Sequence, residues 1–155
     1  MSAQRFYNPI VIRLLRSPLH RFGDQHTIVL TITGRKSGKR FTFPVSYLRD
    51  GESLLVMTHR DHTWWKNLQG TGAPLTVYLD GQDLPARAEV STDPEVVVKV
   101  LLQFLQQVPS WRWETHIKLD ASGQPEHPED LIHLAQRDLV VCKIHLARTP
   151  TPDRV

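Results

Sequence analysis

Cysteine is almost absent from this sequence: Cys142 stands alone among 155 residues. No internal disulfide can form, and a thiol inside the apolar run "LVVCKIHLA" reads as a packed side chain. Long hydrophobic runs are missing too. That run and "IVLTI" fall far below the ~20 residues a membrane-spanning helix needs. The opening residues "MSAQRFYNPIVIRLLRSPLHRF" lack the small-residue cleavage pattern of a secretory signal, and Arg13 and Arg16 interrupt their apolar stretch, so a cytoplasmic location is expected. Negative charge is scarce at the front. Residues 1–49 hold nine Lys or Arg against Asp24 alone, whereas residues 50–155 hold ten against fifteen acids, an asymmetry that the net charge of +3 conceals. The anion-seeking part of the chain is its first third.

What is present reads as one domain dominated by short strands. Asn8-Pro9 marks a helix start, and Ile10, Val11, Leu14 and Leu15 share one face of a short amphipathic helix that Pro18 ends. The β-branched stretch "HTIVLTIT" and the alternating "FTFPVSYL" predict two strands. Pro44 makes the second an edge strand or a bulged one. Asp50-Gly51 predicts a hairpin into a third strand, "SLLVMT", and Asp80-Gly81 a second hairpin joining "LTVYLD" to "DLPARAEV". Between the hairpins, "TWWKNLQG" predicts a short helix capped by Asp61 or Thr63 and closed by Gly70. A capping box from Thr92 to Glu95 opens a helix that ends near Val108, "PEDLIHLAQ" predicts another, and "DLVVCKIHLA" a closing strand. Antiparallel strands with few helices point to a small β-barrel of the α+β kind rather than a doubly wound sheet. The expected division is a lead-in at 1–22, the barrel at 23–148 and a tail at 149–155.

One connection stands out. "GRKSGKR" packs Arg35, Lys36, Lys39 and Arg40 into seven residues between two predicted strands. A P-loop needs four residues between its glycines and a hydroxyl residue after the lysine, and this stretch has three and then Arg40. No G-x-G-x-x-G follows a strand, so a Rossmann site is unsupported. What remains is a looser anion device, in which glycines turn backbone N–H groups toward an anion while cations and the Ser37 hydroxyl add to it. A solvated basic turn is the bland alternative.

The combination "TGRKSGKRFTFPVSYLRDG", an apolar strand and then "WWKNL" resembles the deazaflavin-dependent nitroreductase family of the split-barrel flavin and deazaflavin superfamily, over residues 28–91. The resemblance implies a single-domain split β-barrel with an N-terminal helix and two or three flanking helices. It also implies an oxidoreductase that transfers hydride from coenzyme F-420, an 8-hydroxy-5-deazaflavin, to a quinone, nitro or enone acceptor. By that likeness Arg35, Lys36, Ser37, Lys39 and Arg40 take the coenzyme's phosphate and acidic tail. Its ring falls to Phe43, Pro44 and Val45, to Met57, Thr58 and His59, and to Trp64 and Asn67. Such a ring wants flat apolar walls with a few polar edges, and the chemistry stays with the coenzyme. Ser46 stands where some members carry a tyrosine, and Trp111, Trp113 and His116 replace a tyrosine-rich stretch, so the resemblance defines a coenzyme class more than a substrate. Trp111 and Trp113 are the substrate-side candidates, with the acceptor beneath Trp113, and Ser46, Tyr47 and His116 the candidate proton donors.

Trp64 is expected toward the ring and Trp65 toward the core, because neighbouring helical residues point ~100° apart. His59, Asp61 and His62 are metal-ligating types without a supporting motif, so no metal is expected. The acidic remainder of the chain argues against nucleic acid. Arg13, Arg16 and Arg21 beside an apolar face leave peripheral membrane contact open, against the plainer role of closing one barrel end. A monomer or homodimer is expected, with a small-molecule electron acceptor as partner. Two rival readings stay open: a noncatalytic module carrying a flavin, haem or lipid-like ligand, and a relative of the FMN-dependent oxidases.

Overall fold

The computed structural model describes residues 26–79 and 81–147; the expected N-terminal helix with its arginines and the tail lie outside them. Six strands, β1 (Thr27–Thr33), β2 (Arg40–Asp50), β3 (Ser53–His59), β4 (Thr71–Leu79), β5 (Gln82–Ser91) and β6 (Leu139–Leu146), pair antiparallel into a closed barrel of order β1-β2-β3-β6-β5-β4. A 3₁₀ turn, Trp64–Leu68, sits between β3 and β4. Helices α1 (Pro94–Gln107), α2 (Pro109–Thr115) and α3 (Pro128–Arg137) form the crossover from β5 to β6. The expected split-barrel class is the one observed. No helix among the described residues is long and apolar enough to cross a membrane.

Strand alternation sorts the apolar residues into two cores. Ile28, Leu30, Ile32, Phe43, Leu54 and Val56 point into the barrel with Trp64, Trp65 and Leu68, whereas Leu55, Met57, Leu139 and Val141 point outward and pack against Val97, Leu101 and Phe104 of α1 and Leu131 of α3. β3 and β6 are therefore buried on both faces, which is why "LLVM" and "LVVC" are unbroken apolar runs. Each fully buried aliphatic or aromatic side chain in these cores contributes about 1.5–3 kcal/mol relative to exposure.

β2 changes partners along its length. Arg40–Ser46 pair with β1, and Tyr47–Asp50 pair with β3. The Tyr47 N–H donates to His26 O at 2.8 Å, so by antiparallel alternation the nitrogen of Pro44, opposite Val29, faces away from β1. It faces the side that the β3 ladder does not reach, so the edge reading of Pro44 holds and no bulge is needed.

Three expectations shift. The N-cap of α1 is Asp93, whose Oδ1 accepts from the Glu95 N–H at 3.1 Å, because Pro94 takes the first helical position and leaves Thr92 one residue outside. The "WWKNL" helix is 3₁₀, and Thr63 precedes it with no side-chain cap hydrogen bond. β4 begins at Thr71, earlier than its β-branched residues suggest, because a register shift between Thr71 and Ala73 absorbs the glycine that reads as a breaker. The polar stretch after Val108 holds α2 and then a turn in which Asp120 Oδ1 accepts from the Ser122 and Gln124 N–H groups and the Ser122 hydroxyl. Those bonds, the Ser122 hydroxyl first, hold the Asp120 carboxyl below its ordinary value.

Cys142 is buried in the barrel core, and burial pushes its thiol from 9.0 up to about 12. The stabilisation linked to that proton is complete below pH 9 and is lost as pH rises toward 12. Thermal melts across this window are expected to show a steeper alkaline decline for the wild type than for Cys142→Ala. A thiol reagent at neutral pH is expected to label Cys142 only after denaturant is added. Asp93→Ala is expected to cost about 1 kcal/mol in urea unfolding while Thr92→Ala costs far less, the order opposite to the one a Thr92 cap would give.

Candidate functional site

The basic loop is a tight, preformed turn. The Gly34 N–H donates to Lys39 O at 2.8 Å, the Gly38 N–H to Gly34 O at 2.9 Å, and the Lys39 N–H to Ser37 Oγ at 3.2 Å. Gly38 holds φ of +70°, where a side chain is strained. A Cβ on Gly34 would stand 2.8 Å from Ser37 Oγ and 3.1 Å from Phe41 Cε2, so a larger residue there requires those side chains to give way. This leaves Arg35, Lys36 and Lys39 projecting and exposed.

Asn67 ties the loop to the 3₁₀ turn. Its Oδ1 accepts from the Arg35 N–H at 3.0 Å and its Nδ2 donates to Trp64 O at 3.1 Å. Both ends of the amide are engaged with backbone, so Asn67 frames the site. Between loop and turn lies a cleft of about 850 Å³, lined on the loop side by Arg35, Lys36, Ser37 and Lys39 and on the turn side by Thr63, Lys66, Asn67 and Gln69. Among the described residues no carboxylate lines it. Lys66 is the residue that the sequence reading missed. At three residues per turn, Thr63, Lys66 and Gln69 stack on one side of a 3₁₀ helix, a period that a search for 3.6 does not find. Arg40, expected with the other cations, lines a neighbouring cleft of about 940 Å³ with Arg87, and Gly34, Arg35 and Asn67 border both.

The expected ring residues flank the place where β2 and β3 part. Their ladder ends at Tyr47–Val56; continuing its register would set Ser46 opposite Met57, Val45 opposite Thr58 and Pro44 opposite His59, yet no pairing is made there. Pro44, Val45 and Ser46 are half-buried on one lip, while Thr58 and His59 close the other. Phe43 and Trp64 do not open to this parting. Their rings meet 4.9 Å apart at 52° inside the barrel, where Trp64 is 2 % exposed. The division of the two tryptophans into one ring-facing and one core-facing is corrected accordingly: both are core, because the turn plugs the barrel end and Trp65 Nε1 is satisfied by Arg60 O at 3.2 Å. Met57 is likewise buried, under the helices.

His59 stacks on Trp111, centroids 6.4 Å apart and planes 15° from parallel, and Trp111 in turn packs on Phe104. Trp111 is thus a buried anchor for α2. Trp113, 81 % exposed, and His116 line a separate concavity of about 620 Å³ with Lys118 and Glu126, away from the basic cleft. Two residues apart on a helix, Trp111 and Trp113 point to opposite sides, which a sequence pattern alone does not resolve into inner and outer. Ser46 and Tyr47 stand beside the parting, and His116 does not share the basic cleft.

Residues 17–96 match the model of a family described as F420H(2)-dependent quinone reductase. No curated protein sequence matches the chain. A solved structure titled as a domain-swapped dimer is similar with a TM-score of 0.50 and 15% identity, over 88% of this chain and 94% of that one. Another, titled F420 Reductase, is similar with a TM-score of 0.43 and 14% identity, over 87% and 91%. At such identity the first shows the shared fold.

The loop geometry carries a test. Gly34→Ala is expected to destabilise the protein by about 1–3 kcal/mol through crowding and to weaken the thermal stabilisation conferred by inorganic pyrophosphate. Adding Ser37→Gly, which removes the nearest clashing atom, is expected to recover part of the stability. No loss in the single variant would contradict the packing described.

Proposed function

Because the chain belongs to the F420H(2)-dependent quinone reductase family, an oxidoreductase family that works with coenzyme F-420, we propose that the cationic cleft and the β2–β3 parting form one continuous coenzyme site and that the acceptor is a quinone. The observation that carries this reading is the cleft's chemistry: Arg35, Lys36, Lys39 and Lys66 converge on one concavity that no described carboxylate offsets. Such a set fits a phosphate followed by carboxylates and has little use for a neutral ligand. Asn67 links this anion end to the turn that closes β3, so the distance from charged tail to ring is set by short-range backbone bonds.

When bound, the coenzyme supplies hydride to an electron-poor acceptor. The protein's part is placement. Pro44 and Val45 offer apolar surface at the parting, and Ser46, Tyr47, Thr58 and His59 supply polar groups at its edges. A flat, neutral quinone suits such a groove, and nitro or enone compounds ask for the same hydride and the same apolar walls. Trp113 and His116, considered for the acceptor and its proton, line a concavity of their own; Arg40 and Arg87 stand ready for the outer end of a long acidic tail.

Charge reversal at Arg35 and Lys36 tests the assignment. Each of Arg35→Glu and Lys36→Glu is expected to weaken F-420 binding about tenfold or more, measured by fluorescence quenching, with an increased Kd at higher salt for the wild type. FMN, whose charged tail is shorter, is expected to lose much less. Equal losses for the two would overturn the tail assignment, and binding without oxidation of reduced F-420 by menadione would overturn the acceptor.

A further inference from the structure

The function above leaves one short polar contact at the parting unused. Thr58, on the inward-pointing face of β3 with Leu54 and Val56, is only 6 % exposed, and its Oγ1 lies 2.7 Å from His62 Nδ1. Val45 is the residue that the β2–β3 register would place opposite Thr58 if the ladder continued. Thr58 thus keeps its β6 partner Val140 and borders the parting on its β2 side, where no described strand pairs with it. His62 is half-buried, so its ring spans from that hydroxyl toward solvent.

The turn carrying His62 is held from several directions. The His62 N–H donates to His59 O at 3.1 Å, and the Arg60 N–H donates to Asp138 O at 2.8 Å. Arg60 Nε donates to Leu139 O at 2.8 Å and Nη2 to Ala135 O at 3.2 Å, where the last carbonyls of α3 lack helical partners. The imidazole of His59 meets that of His62 edge-on, centroids 5.8 Å apart. This is a histidine kept in one orientation over one hydroxyl, the arrangement that proton transfer requires.

We infer that Thr58 and His62 form a proton relay for acceptor reduction, an assignment that rests on the quinone reading above. A quinone that accepts hydride gains two electrons and one hydrogen, and it leaves as the hydroquinone only after a proton reaches the resulting oxyanion. Thr58 Oγ1 gives its proton to that oxygen and takes one from His62 Nδ1–H. As Nδ1 loses its proton Nε2 takes one from water, which leaves the neutral Nε2–H tautomer; exchange with solvent returns the proton to Nδ1 before the next turnover, so solvent is the net donor. Thr58 touches the acceptor and is the catalytic residue; His62 acts through it.

The test uses the full chain with F-420 and menadione. Thr58→Val, which removes the hydroxyl and keeps the shape, and His62→Ala are each expected to lower kcat about 100-fold, with far smaller changes in KM and in F-420 binding by fluorescence quenching. Thr58→Ser is expected to retain turnover. Added imidazole is expected to restore His62→Ala but not the Thr58→Val/His62→Ala double variant, a rescue that a purely structural role would not produce. The solvent deuterium isotope effect on kcat is expected to differ between the wild type and both single variants. Wild-type kcat in Thr58→Val or His62→Ala, or imidazole rescue of the double variant, would overturn the relay. If the wild type binds F-420 yet reduces no quinone, the acceptor assignment is what fails, and the same variants read the relay with a nitroaromatic or enone acceptor, whose reduction also consumes a proton.

Discussion

The switch of β2 from β1 to β3 at Tyr47 is the constraint on which the rest of this structure depends. A strand that served one neighbour throughout would leave the barrel open. One that served both over its full length would leave no groove. By dividing its hydrogen bonds between the two, β2 closes the barrel at one end and parts from β3 at the other, and Pro44 stands on the parted half because it has no proton to offer there. The anion loop enters β2 at that same half, so groove and positive charge come from one stretch of chain.

Local bonds hold the charge in place. Four cations on a short loop repel one another, and the loop survives because Gly34, Ser37, Gly38 and Lys39 satisfy each other's backbone groups while Asn67 anchors Arg35 from outside. Among the described residues no carboxylate lines the cleft to offset the loop's charge. On the far side of the groove, preorganisation comes from Arg60, which fastens the end of β3 to the start of β6 and the end of α3.

Much of this was legible in the chain. The β-branched runs and Asp-Gly pairs predict the hairpins, and the glycine-flanked cations with "WWKNL" predict the family, because these features depend on local chemistry that a short window contains. Less legible was anything decided by tertiary environment. Trp64 and Trp65 are both core, since the inside of a barrel wraps around a plug and so receives neighbours that a helical wheel would separate. Trp111 and Trp113 share a pattern and differ in burial only because Phe104 and His59 lie on one side of α2. Lys66 escaped notice for want of a period-three reading, and Asp93 took the cap because Pro94 defines where the helix begins.

The short turn after β3 has two sides with opposite duties. Trp64, Trp65 and Leu68 stopper the barrel, while Thr63, Lys66 and Gln69 face the cleft. Whatever grips the outer side also braces the stopper, so occupancy and cohesion of the hydrophobic interior become two faces of one equilibrium. On the proposed reading of the cleft, ligand loading would double as a fastening, with the empty protein the looser object.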